Sequence, residues 1–244
     1  DLTDDSFSST SYVQATPDRV YPVYVDQANG DAQVRVVDVA AGAETYRTEA
    51  FTSSEQYGGE IIASEAGKFY LGTDTAVLGF DDSDGSTLNT AAGQYDGGIV
   101  AFPDGSLMGA SDANSELAFY SGGVGSGTEW TTAYSDLNGS AYGHTAVNMI
   151  AGMTAIDRNR VFLAQSSGAP LVVNRSGDVT IRHLTPWLAG DSTVEGVSKS
   201  PLGSVLVAYS DSDGNGYSVV SYPTDEPGEG TLLFQGIGSP QAFE

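Results

Sequence analysis

GIVAFPDGSLMGASD, residues 98–112, decides how the rest of the chain is read. An apolar run (Ile99-Val100-Ala101-Phe102) meets Pro103-Asp104-Gly105. A second apolar run (Leu107-Met108-Gly109-Ala110) then ends on Ser111-Asp112. Each residue of the punctuation has a mechanical role: proline presets φ, aspartate bonds its own backbone two residues on, and glycine supplies a positive φ. Two short apolar runs around such a turn read as a β-hairpin.

The same design recurs along the chain. SYVQATPDRVYPVYVD begins at Ser11, EIIASEAGKFYLGTD at Glu60, GMTAIDRNRVFLAQSS at Gly152 and GVSKSPLGSVLVAYSD at Gly196. The starts are roughly 40–55 residues apart, the period of propeller blades. Two further short strands follow each hairpin, for example Gln33–Val39 then Glu44–Phe51, and Tyr217–Tyr222 then Thr231–Phe234. No stretch keeps a 3.6-residue apolar period, so no long helix is expected. Four antiparallel strands repeated five times predict an all-β fold, a five-bladed β-propeller, in which thin sheets bury their faces against each other. Glycines at the inner-strand starts (Gly58-Gly59, Gly97-Gly98, Gly152, Gly196) are expected where backbones crowd. The propeller is expected to span residues 11–244 as one domain, with Asp1–Thr10 an N-terminal arm or a closing strand. The tail from Gly236 resembles the start of another inner strand. Starting at Asp1 with no signal peptide, the chain reads as a processed mature form or a fragment.

The 244 residues carry 32 acids against 9 Lys and Arg, a formal net charge of −23. Lys68 and Lys199 are the only lysines. A phosphate-binding face needs cations, so nucleic acid is excluded as a partner class. No apolar run approaches a membrane span, so no direct insertion is expected. With no cysteine there are no disulfides or thiolate metal sites. An acid-rich, lysine-poor chain built on blade-length repeats resembles β-propellers of haloarchaeal, or haloarchaeal virus, surface and virion proteins. That resemblance implies an extracellular recognition or adhesion module, such as a virion spike, turret or fibre head, that binds a surface glycan or a protein partner within a larger assembly.

Three candidate sites follow from residue chemistry. The long insertion Gly122–Met149 and nearby loops gather Trp130, Tyr134, Tyr142, His144, Tyr57 and Tyr95. Aromatic faces for stacking beside polar groups are what sugar recognition uses. Asp211, Asp213 and Asn215, followed by Gly216, match the first half of a calcium loop. The acid that should close it is replaced by Tyr222, and Asp82-Ser83-Asp84-Gly85 is a shorter relative. Glu60, Asp96 and Glu195 sit near inner-strand starts. Converging, they would supply the paired carboxylates of a five-bladed glycoside hydrolase. A structural virion or surface-layer component without a ligand is the remaining alternative. His183 falls in a strand-like run with Ile181 and Leu184 and reads as a structural residue.

Overall fold

A computed structural model describes residues 7–15, 18–26, 31–52, 61–64, 67–72, 76–92, 98–111, 114–121, 130–137, 150–166, 169–183, 192–211 and 216–237. They form five antiparallel sheets, each built from one contiguous piece of chain. The first joins β1 (Phe7–Ala15), β2 (Arg19–Asp26), β3 (Asp31–Asp38) and β4 (Ala43–Arg47) in sequence order, with β5 (Phe51–Thr52) also pairing β3. The second is β6 (Ile61–Ser64), β7 (Lys68–Gly72), β8 (Ala76–Asp81) and β9 (Thr87–Ala92). The third is β10 (Ile99–Ala101), β11 (Leu107–Ser111), β12 (Glu116–Tyr120) and β13 (Trp130–Ala133), and β13 runs into a 3-10 turn at Tyr134–Leu137. The fourth is β14 (Ile150–Ala155), β15 (Arg160–Gln165), β16 (Leu171–Asn174) and β17 (Val179–Arg182). The fifth is β18 (Ser192–Lys199), β19 (Val205–Asp211), β20 (Gly216–Tyr222) and β21 (Thr231–Ile237).

The turns work as their residues dictate. At the hairpin quoted first, Phe102 N–H bonds Ser106 O, and Asp104 Oδ1 accepts from Ser106 N–H and Oγ–H. Gly105 there takes φ +81°, a conformation that strains any residue with a Cβ. Phe7–Thr10 belong to β1 and pair with β2. Gly236 and Ile237 belong to the outer strand β21, and the rest of the tail read as an inner strand lies outside the described residues.

The chain divides into two compact units, residues 1–109 with 119–129 and residues 110–118 with 130–244. In the first, alternate residues of β2 and β3 (Tyr21, Val23, Ala32, Val34, Val36) pack on Phe69, Leu71, Ala76, Leu78 and Phe80 of the second sheet. Phe69 stacks on Phe80 at 5.0 Å and tilts against Tyr21 at 5.2 Å. In the second unit, Ile156, Phe162, Ala164, Val172 and Ile181 pack on Val194, Val205, Val207, Tyr209, Val220 and Tyr222. The second strands of these sheets are buried on both faces, Val161 through Ala164 being fully enclosed. A sheet that must cover both faces needs neighbours on both sides. Close approach accounts for Gly152, whose added Cβ would sit 2.9 Å from Val197 Cγ2. It does not account for Gly196, which has open space around it.

Candidate interaction surface

Most residues singled out in the sequence fall outside the described ones: Tyr57, Tyr95, Tyr142, His144, Glu60, Asp96, Asp213 and Asn215. Trp130 opens β13. Tyr134 is 3% exposed, its N–H donating to Ser115 O at 2.7 Å, so its ring is closed off from solvent. Glu195 lies exposed on β18 and accepts from Ser210 Oγ–H at 2.5 Å. Asp211 ends β19.

Asp82, read in the sequence as a relative of a calcium loop, has another use. Its Oδ1 accepts from Arg19 at 2.6 Å, Tyr46 Oη–H at 2.8 Å and Tyr21 Oη–H at 3.1 Å. Its carbonyl accepts from Arg19 Nη1 at 2.5 Å and Tyr46 Oη–H at 2.8 Å. The β8–β9 turn of one sheet is thereby clasped by β2 and β4 of the preceding sheet. Burial, with the Asp82 charge, pushes the Tyr21 phenol up to about 12 and raises Tyr46 further. Gly85 completes the turn at φ +76° and lets the Tyr46 ring approach, since an added Cβ would lie 2.8 Å from Tyr46 Cδ2.

The second unit repeats the device. Arg160 opens β15 as Arg19 opens β2. It donates to Thr224 O at 2.8 Å and Asp225 Oδ1 at 2.9 Å, in the β20–β21 turn of the next sheet. Asp157 anchors the same guanidinium at 2.8 Å. Burial favours a higher Asp157 pKa, but the Asn159 N–H and Arg160 outweigh it and hold the carboxyl below its usual range. An arginine fork suits this double duty, because its donors are fixed in a plane. Beside it, Leu202, Gly203, Ser204, Pro223, Thr224, Asp225 and Glu226 line an open cleft of about 330 Å³.

Behind that turn, His183 is 1% exposed and boxed by Phe162 at 5.6 Å and Tyr222 at 5.3 Å. Among the described residues neither ring nitrogen has a hydrogen bond of full geometry, the Gly228 backbone making only a weak approach. Burial lowers the imidazole pKa, and the Gly228 backbone offsets only part of that. The unfolded chain takes this proton near pH 6.5, the folded chain only at lower pH. Above 6.5 both states are neutral and the contribution of His183 is intact. Below it the unfolded state binds more protons, so stability falls toward the folded pKa. Denaturation of the wild type against His183→Phe should show a difference that is flat above about pH 7 and moves against the wild type toward about pH 5. A difference that stays flat across that range would discard the effect.

The last strand differs from its counterparts. On β21, Leu232 (46%), Leu233 (57%) and Phe234 (49%) are all exposed, and the Phe234 ring leans on Tyr217 at 5.4 Å.

No family model matches the chain, and no curated protein does. Solved structures do. A complex of KlAtg21 with the coiled-coil of AgAtg16 superposes with a TM-score of 0.56 at 12% identity, covering 93% of this chain and 70% of that one. BamB from Moraxella catarrhalis gives 0.53 at 12% identity, covering 87% of this chain and 57% of its own. The fold is a five-bladed β-propeller. The chain thus spans less than two thirds of BamB. At such identity the likeness carries architecture alone.

Proposed function

We propose that this propeller is a recognition module that docks a protein partner outside the cell, in concentrated salt. The exposed aliphatic and aromatic strip on β21 carries the reading. Large apolar side chains standing together on a surface mark sites where another molecule covers them. A protein is favoured over a glycan, because the described apolar surface is mainly aliphatic (Leu202, Leu232, Leu233) and Tyr134 is buried. That one structural relative was solved bound to a coiled coil is in keeping with this use of the fold. Salt enters through the charge of −23, which in dilute buffer repels itself.

The immobilised chain, exposed to an extract of its source cells and their medium in molar NaCl, should retain one protein in stoichiometric amount. No protein enriched over the bare matrix would overturn the reading.

A further inference from the structure

We infer that β21 is an open docking edge, which takes an extended, cation-bearing segment of the partner as an added strand, and that the adjacent cleft receives a lysine or arginine side chain of that segment. The inference rests on the recognition reading and specifies its partner. Among the described residues β21 pairs only with β20, so its outer row of N–H and C=O groups is free to template another strand. Natural edges are usually blunted by charges or proline. Of the other outer strands, β4 carries Glu44 and Arg47 and β17 carries Arg182, whereas β9 (TLNTAA) and β13 (WTTA) carry no charge or proline; β21 adds to this the exposed Leu232, Leu233 and Phe234. β21 reads TLLFQGI, with neither charge nor proline.

Charge selects the occupant. The turn leading into β21 exposes Asp225, Glu226 and Glu229. Pairing of Thr231 with Ser221 sets the head of β21 two residues before Pro223, which begins that turn's share of the cleft. Leu202 and Pro223 offer apolar walls to the methylene stem of a long cationic side chain, and Glu226 offers a carboxylate to its head, Asp225 being held by Arg160. A second copy of this chain fits poorly. It would bring another charge of −23, and β21 has no cation to meet these acids. Strand addition supplies affinity through the main chain and specificity through side-chain pockets.

The test uses a fluorescent peptide of alternating valine and threonine ending in arginine, with anisotropy read at moderate and molar salt. The arginine peptide should bind. At moderate salt a glutamate-ended peptide, or Glu226→Gln with Glu229→Gln, should weaken binding about fivefold, as two exposed ion pairs would, and this difference should shrink in molar salt. Leu232→Thr with Leu233→Thr should weaken it about tenfold at an unchanged thermal midpoint, and N-methylation of alternate peptide amides should abolish it. Equal binding by the N-methylated peptide, or by the threonine variant, would overturn the inference. So would self-association that the threonine variant abolishes. A partner captured from extract that the threonine variant still holds would remove this edge while leaving the recognition reading in place.

Discussion

Asp82→Ala is expected to destabilise the protein by about 2–4 kcal/mol, the cost of stranding several partly buried donors at once. The substitution removes the oxygen that accepts from Arg19, Tyr21 and Tyr46. Arg19 and Tyr46 keep the Asp82 carbonyl, so their loss is partial, whereas Tyr21 loses its acceptor. Solvent reaches the ion pair, with 31% of the Arg19 side chain and 18% of the Asp82 side chain exposed, and this holds the cost below that of a dry pair. Asp82→Asn keeps an acceptor without the charge and should fall between. Asp84→Ala is the local control. Among the described residues Asp84 accepts only the Ser86 N–H, on an exposed turn, and its loss should cost under about 1 kcal/mol. Urea unfolding midpoints at constant slope provide the measurement. Equal effects at 82 and 84 would remove the clasp from the list of structural determinants.

Raising NaCl from about 0.1 M to about 2 M should lift the thermal midpoint by roughly 10 °C, because screening shortens from about 10 Å to under about 3 Å. Two carboxylates about 10 Å apart repel by a few tenths of a kcal/mol in water, and the sum over many such pairs reaches several kcal/mol. The 9 cations cannot neutralise the 32 acids, and two of the arginines are already engaged in the three ion pairs of the clasps. Choline chloride should act like NaCl if screening is the cause. A midpoint that stays level with salt would mean that the acid surplus costs the fold nothing, and the brine reading would go with it.

What could be seen in the sequence was what is local. Hairpins announce themselves because Pro103-Asp104-Gly105 and the alternating apolar residues act within a dozen positions of each other. The clasps do not. Arg19 meets Asp82 across 63 residues and Arg160 meets Asp225 across 65, with nothing nearby in the chain to link them. Asp82 consequently read as a metal-loop residue when its neighbours in space are a guanidinium and two phenols. The strand character of Thr231–Phe234 was legible, but its exposure was not, since burial depends on which sheet lies alongside. His183 was legible as structural from its strand setting. Its aromatic box, made by Phe162 and Tyr222 from two different sheets, was not.

Every ladder bond in the described strands closes within one uninterrupted piece of chain, and the same arginine position bridges to the next piece in both units. Such an architecture can grow by tandem duplication of its gene: a copied segment arrives with its sheet complete and with the side chain needed to fasten it to the following one.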